Sequence, residues 1–529
     1  MSEDLRHECG VAALYWLQEA PAGAGRHGPK GKSMDVASML PGMLLDLQNR
    51  GQLASGISTY DASRAQLLDT FKGVGTVAEV FRTSHPGKYQ AILDEYTGCA
   101  GIGHTRYATS GAEDARYAQP FERHHARPHK WFSFAFNGQL ANFAEMKRQL
   151  QYERGYHFSL GTDTEVIMHA LAHGLRGERT SSLKRVMAEA AEIFDGAYNI
   201  AFLDALGRMF VARDPIGIRP MHWAVQGRLF GAASESVALT NAGFEDVRTL
   251  EPGQMAIIEE GRLNIVRYAP VLAKARCFFE WVYFSNVASQ IDGMGVYQSR
   301  AATGERLAAR EDQTIDSDCV VVPVPDTAKA AADSFAYHLG VPCMEGLIRN
   351  RYVGRSFIQP EAMRQQSAQS KYTPLPSVLQ GRRVFLVEDS IVRSLTLKTL
   401  VSQIKEHGGA KEVHVRVACP PIIAPCFYGI DMSTVGELFA SAFSKGQRGG
   451  RIKPEAFAAM AKALSVDSLR YLDVGDLAKT IGCGSDTLCL GCVTGKYPTE
   501  WGEKLFKKAK RNLSLKRDSA KHSSKQTCN

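Results

Sequence analysis

The chain of 529 residues has no apolar run approaching the length of a membrane span, so a helical transmembrane protein is excluded. It also lacks a basic start. Glu3, Asp4 and Glu8 stand against Arg6 ahead of the apolar stretch 9–17, whereas export signals begin basic, so a cytoplasmic location is expected. No internal repeat is found, and no complete dinucleotide fingerprint, since Gly73-Val74-Gly75 has no third glycine. The eleven cysteines are odd in number and scattered, which fits reduced thiols, catalysis or metal rather than a disulfide framework. A strongly charged body is absent too. The net charge is +8, but residues 503–529 carry nine Lys or Arg against Glu503 and Asp518, which leaves the rest nearly neutral and argues against nucleic-acid binding. Residues 511–529, rich in Lys and Ser, are expected to form a disordered basic tail.

What is present falls into regions of different texture, and the length suits two or three domains. Up to about residue 255 the chain is broken into short strand-like runs such as 132–136 and 198–203, with helical stretches such as 163–175, which predicts an α+β sandwich. Beyond it, strand and helix alternate: 319–322 leads to 327–339, 383–387 leads to 394–407, and 413–417 follows. That order predicts βαβ units and an α/β domain with a mostly parallel sheet. We place the first domain at 9–260 and the second at 261–450. A segment at 451–510 reads as helical and then cysteine-bearing.

Cys9 stands in Glu8-Cys9-Gly10-Val11-Ala12, behind a short polar leader. If residues 1–8 are removed, Cys9 carries a thiol and a free α-amine on one carbon. The amine, with a pKa of about 7.7–8.0, can take the thiol proton near neutrality. A small buried core residue is the plainer alternative for a lone cysteine.

Ordered blocks decide between them: Cys9-Gly10-Val11, Arg50-Gly51-Gln52, Gly103-His104-Thr105-Arg106-Tyr107, Asn137-Gly138-Gln139-Leu140, Thr162-Asp163-Thr164-Glu165, Arg213-Asp214-Pro215 and Ala233-Ser234-Glu235-Ser236. In these the first region resembles the class II glutamine amidotransferases, an N-terminal-nucleophile hydrolase sandwich. The resemblance implies Cys9 as nucleophile, and Asn137 with the backbone N–H of Gly138 as donors to the oxyanion. It further implies Arg106 for the glutamine carboxylate and Asp163 for its ammonium. Asn49 and Leu53 depart from the His and Asp common around the Arg50 block.

In the second region, 383–387 runs into Glu388-Asp389-Ser390-Ile391-Val392-Arg393-Ser394-Leu395-Thr396. Adjacent acids at the carboxyl end of a parallel strand, followed by a helix start, suit a sugar phosphate, although a plain turn capped by Ser394 is the alternative. The stretch resembles a type I phosphoribosyltransferase. With Val322-Pro323-Val324-Pro325-Asp326-Thr327, the run 349–360, Met363-Arg364 and 426–431, the resemblance extends to the amidophosphoribosyltransferases over about residues 9–500. It implies 5-phosphoribosyl 1-pyrophosphate (PRPP) held by Asp326, Glu388, Asp389, Ser390, Arg393, Ser394 and Thr396. Arg351, Arg355, Arg364 and Lys371 then suit the pyrophosphate, and Mg²⁺ sits with Asp326, Glu388 and Asp389. Ser394 and Leu395 replace a glycine and a threonine of the usual loop, and Phe284-Ser285-Asn286-Val287-Ala288-Ser289 departs from the usual Ala-Arg-Pro-Asp-Ser.

Cys489-Leu490-Gly491-Cys492 alone is open to zinc, a redox couple or coincidence. The resemblance implies a [4Fe–4S] cluster on Cys277, Cys426, Cys489 and Cys492, with Cys419 and Cys483 as rival ligands. The expected activity joins glutamine hydrolysis to amination of PRPP, the first committed step of purine synthesis, with ammonia passed internally. Purine nucleotides are expected as inhibitors, and a homo-oligomer as the assembly. Two rivals stand beside it: a paralogous amidotransferase with another acceptor, and a regulatory iron–sulfur protein without PRPP turnover.

Overall fold

The apolar run after Cys9 forms the strand His7–Trp16 and is buried on both faces. Val11, Ala13 and Tyr15 enter one core while Ala12 and Leu14 enter another, as a side-chain period of two requires. The computed structural model describes residues 7–20, 34–108, 114–350, 371–432, 434–444, 452 and 454–526. The chain divides into two compact units. One comprises Met1–Cys277, Ala288–Gly293 and Phe427–Asp431; the other comprises Phe278–Val287, Met294–Cys426 and Met432–Asn529.

In the first unit, His7–Trp16 lies inside a seven-stranded antiparallel sheet, between Leu229–Ala233 and Ala100–Ala108. A six-stranded antiparallel sheet, with Phe132–Leu140 and Gly196–Asp204 side by side, packs on it. Val11, Ala13 and Ile102 from one sheet meet Ala135, Leu203 and Val211 from the other. Leu40–Asp46 and Ser236–Asn241 cover the outer face of the larger sheet, and Phe143–Tyr152, Asp163–Gly174 and Leu183–Ile193 cover that of the smaller. The layers therefore run helix, sheet, sheet, helix. Each sheet is apolar on both sides because each is covered on both.

The second unit is built on a four-stranded parallel sheet, in the order Cys319–Pro323, Arg383–Glu388, Glu412–Val417 and Ser468–Tyr471. Runs such as Val320-Val321-Val322 and Val384-Phe385-Leu386-Val387 are buried throughout, as expected of parallel strands covered on both faces. Lys329–Leu339 and Ser394–Glu406 are the crossover helices, and Gly340, at φ 69°, ends the first in the left-handed conformation.

Three boundaries differ from the sequence reading. The first unit continues past 260 to Cys277, because Arg262–Arg267 pairs with Gln254–Glu259 and completes its sheet. The segment 451–510 belongs to the second unit, since Ser468–Tyr471 is that sheet's fourth strand. The tail expected to be disordered from 511 is helical to Gln526, continuing Glu500–Gln526. No glycine or proline interrupts that helix after Gly502, and Lys, Arg, Ala and Leu favour helix. No described helix is long and apolar enough to cross a membrane.

Candidate functional site

Cys9 is fully buried and shares the inner face of its strand with Val11 and Ala13. It stands directly opposite Arg106 on the neighbouring strand. Arg106 is buried as well, its guanidinium 5.2 Å from the centre of the Tyr117 ring. Burial lowers the guanidinium pKa, while Cys9, Tyr117 and Asp114 oppose the shift. One residue along the same face, His104 Nε2 donates to the carbonyl of Phe136 at 3.1 Å and ties the two sheets together.

Gly51 explains why the Arg50 block sits where it does. A Cβ there would lie 2.4 Å from the backbone carbon of Arg106, so only glycine lets the two chains touch. Beside it, Arg50 Nε and Asn49 Nδ2 each donate to Glu235 Oε1 at 2.7 Å, and Ser289 Oγ donates to Glu235 Oε2 at 2.8 Å. The unusual Asn49 thus has a partner of its own in the buried Arg50–Glu235 ion pair.

Asn137 and Gly138 lie on the strand Phe132–Leu140 of the second sheet. Gly138 has φ 141°, and a Cβ there would fall 2.0 Å from the carbonyl oxygen of Ala197. No other residue type fits that position. Asn137 Nδ2 donates to Ser234 Oγ at 3.2 Å, and the same hydroxyl accepts the backbone N–H of Val11 at 3.0 Å. Asp163 opens the helix Asp163–Gly174 behind the N-cap Thr162, whose side chain accepts from Glu165 N–H. Burial pushes its carboxyl up to about 7, against N–H donors that include Thr164 and Leu140. Bonds and strand register therefore gather Cys9, Arg106, Asn137, Gly138 and Asp163 at one end of the sandwich.

In the second unit Glu388 ends the strand Arg383–Glu388 and Asp389 follows it. Asp389 is buried, receives the Ser390 hydroxyl at 2.6 Å and is bonded by Thr327 Oγ1. Desolvation raises the pKa of both acids, Asp389 adds to the shift at Glu388, and Lys371 works in the opposite direction at both. Two adjacent carboxylates held at raised pKa values suit a divalent cation. Val324 N–H donates to the Val387 carbonyl at 2.9 Å, which sets the Asp326 loop beside the strand end, but Asp326 itself is exposed and bonded by Arg349 at 2.5 Å. Ser394 is the first residue of its helix and not its cap. The cap position is Arg393, whose side chain makes no capping hydrogen bond. Arg393 pairs with Glu437 at 3.4 Å. Arg351, Arg355 and Arg364 lie outside the described residues.

Of the four expected cluster ligands, Cys277 belongs to the first unit and Cys426, Cys489 and Cys492 to the second. Ile423 and Ala424 N–H both donate to the Cys492 carbonyl, at 2.9 and 3.0 Å, and Tyr497 Oη donates to the Pro425 carbonyl at 2.5 Å. These bonds bring the Cys426 segment onto the C-x-x-C segment. Among the described residues, however, no three or more His, Cys, Asp or Glu side chains are grouped to hold a metal ion.

Four residues gain a place that sequence reasoning did not assign: Ser234, Thr327, Arg300 and Tyr372. Arg300 is buried, donating to the carbonyls of Trp281 and Ser285 at 2.8 Å each, and its charge favours the ionised form of Asp389. Tyr372 Oη donates to the Pro325 carbonyl at 3.2 Å. The available signal for Arg300 was its helical spacing with Val296, Thr303 and Leu307 on the buried side of the helix; Ser234 and Thr327 stood inside noted blocks without a role.

Comparison with known proteins agrees with both halves. A family described as a glutamine amidotransferase domain matches residues 104–241. The chain is 37% identical over 507 residues to an amidophosphoribosyltransferase of Methanothermobacter thermautotrophicus, covering 94% of this chain and 95% of that one. It is 35% identical over 506 residues to an amidophosphoribosyltransferase of Bacillus subtilis, covering 94% and 95%. Among solved structures, the glutamine PRPP amidotransferase of B. subtilis complexed with ADP and GMP superposes with a TM-score of 0.77 at 34% identity, covering 93% of this chain and 98% of that one. Near-complete coverage in both directions, at identities well above chance and through both units, establishes that this chain belongs to the amidophosphoribosyltransferase family.

Proposed function

We propose that this chain converts PRPP, glutamine and water to 5-phosphoribosylamine, pyrophosphate and glutamate, the first committed step of purine biosynthesis. The observation that carries the reading is the presence, in one chain, of a buried cysteine–arginine pair on an inner sheet face and an acid pair at the carboxyl end of a parallel strand. Relatives with 35–38% identity over most of the chain bear the name of that activity.

With residues 1–8 removed, the α-amine of Cys9 accepts the thiol proton, and the sulfur attacks the glutamine carboxamide. Asn137 Nδ2 and the Gly138 N–H take the oxyanion, Arg106 takes the substrate carboxylate and Asp163 its ammonium. Ammonia leaves, water resolves the thioester, and the ammonia serves as nucleophile in the second unit. There, Ser390, Arg393, Ser394, Thr396 and the helix start receive the 5-phosphate, while Glu388 and Asp389 hold the ribose hydroxyls. Arg351, Arg355 and Lys371 supply the positive charge that suits the pyrophosphate. Asp326, Glu388 and Asp389 would hold Mg²⁺, which would supply positive charge at the pyrophosphate leaving group. We assign Cys277, Cys426, Cys489 and Cys492 to a structural [4Fe–4S] cluster, on the softness of four thiolates. An odd number of cysteines, scattered through the chain, supports a reducing, cytoplasmic setting. Purine nucleotides are the proposed inhibitors, by analogy with the relative complexed with ADP and GMP, and a homo-oligomer is the proposed assembly.

The test is PRPP-dependent release of glutamate and pyrophosphate by the purified protein. Equal amounts of both are expected. Glutamate without pyrophosphate, indifferent to PRPP, points to another acceptor and overturns the reading.

A further inference from the structure

We infer that Ser234 is a positioning residue for the oxyanion donor Asn137. The inference rests on the glutaminase reading above and adds a residue to it. Ser234 is fully buried at the end of the strand Leu229–Ala233. A serine hydroxyl has two acceptor lone pairs. Here one takes the backbone N–H of Val11 at 3.0 Å, two residues from the nucleophile, and the other takes Asn137 Nδ2–H at 3.2 Å. In return, Ser234 N–H donates to the Val11 carbonyl at 2.9 Å, so backbone and side chain of one residue grip the nucleophile's strand at the same point.

The Asn137 carboxamide has no second anchor among the described residues. Its Oδ1 is buried and accepts no hydrogen bond there, so the contact to Ser234 is what selects the amide rotamer. Of the two hydrogens on Asn137 Nδ2, one is committed to Ser234 and the other remains for the oxyanion. The hydroxyl therefore sets the distance between the donor on one sheet and the nucleophile on the other. Glu235 keeps Ser234 in place from the far side, through Arg50, Asn49 and Ser289.

Removing an oxyanion donor outright costs about 10²–10³ in rate, so loss of its orientation in Ser234→Ala should lower kcat for glutamine hydrolysis by about tenfold to a hundredfold. Glutamine KM should change by less than about threefold, since Arg106 and Asp163 are untouched. Four controls separate positioning from general damage. Ammonium-dependent turnover and the rate at which iodoacetamide alkylates Cys9 should both be retained, because neither uses the oxyanion donors. Ser234→Thr, which keeps a hydroxyl, should recover most of kcat. In an Asn137→Ala background, Ser234→Ala should cost nothing further. If Ser234→Ala does not fold, Ser234→Cys, of similar size and a weak acceptor, carries the same expectation. A Ser234→Ala enzyme with kcat within threefold of the parent overturns the inference, as does a parallel loss of Cys9 alkylation. Failure of the parent to release glutamate would instead sink the glutaminase reading itself.

Discussion

Binding of glutamine should depend on pH through Asp163. Its carboxyl is 4% exposed, and burial pushes its pKa from 3.8 up to about 7 despite backbone N–H donors. Only the carboxylate can pair with a substrate ammonium. The ionised share of the unliganded site is about nine-tenths at pH 8, half at pH 7 and a tenth at pH 6. Apparent affinity scales with the competent fraction, so the glutamine Kd should weaken about tenfold between pH 8 and pH 6. The assay is calorimetry on Cys9→Ala, which binds without turnover. At pH 7 about half a proton should be released per glutamine bound, seen as a dependence of the heat on the buffer's ionisation enthalpy. Asp163→Asn should bind weakly and with little pH dependence across this range. Stability carries the opposite sign. A pKa raised on folding means that the stabilising contribution is present below about 4 and is lost as pH rises through about 7, with a limit of roughly 4 kcal/mol. Asp163→Asn should therefore melt higher than the parent at pH 8, with the gap closing as pH falls. A glutamine Kd that is flat from pH 6 to 8, together with buffer-independent heat, would refute this reasoning.

Cys9→Ala should abolish glutamine-dependent turnover and spare ammonium-dependent turnover; equal loss of both would deny the division of labour between the two units. Gly138→Ala should lose at least about 3 kcal/mol of stability, read from the urea midpoint, because its Cβ meets the Ala197 carbonyl and its φ of 141° is unsuited to a side chain. Protein purified without oxygen should contain about four irons per chain, lost on substituting Cys489 and retained on substituting Cys419 or Cys483; stoichiometric zinc instead would dismiss the cluster. Leu395 is 44% exposed beside the helix start, and supplies no hydroxyl to a phosphate. Restoring Gly at 394 and Thr at 395 should tighten PRPP binding by up to about tenfold, the worth of one neutral hydrogen bond, and an unchanged titration would count against that loop as the phosphate site.

Much of the architecture was legible in the chain itself. The apolar run after Cys9 announced a strand, and the alternation of strand-like and helical runs from 319 to 417 announced a mostly parallel sheet. Cys9, the Asn137-Gly138 pair and the Glu388-Asp389 pair stood out because the blocks that hold them resemble those of known families. The Ser468–Tyr471 strand did not, being four residues long with only alternate positions buried. The helix to Gln526 was not legible, because a dense run of like charge suits a solvated tail as well as a helix of lysine and arginine.

What the sequence determined by itself, then, is which groups are available: a thiol near the start of the chain, an amide next to a glycine, paired acids ahead of a helix. Their arrangement was decided by folding. Val11 and Ser234 are 223 positions apart and Asn137 is 97 from Ser234, so no local pattern could have joined them. Serine is too common a residue to stand out, and the bonds exist because the registers of two sheets and the packing between them bring the Val11 N–H, the Ser234 hydroxyl and the Asn137 carboxamide together. Burial acts in the same way on Asp163: its position on the helix could be read from Thr162 and Glu165, but a carboxyl poised near neutrality arises only once the surrounding layers have excluded water from it.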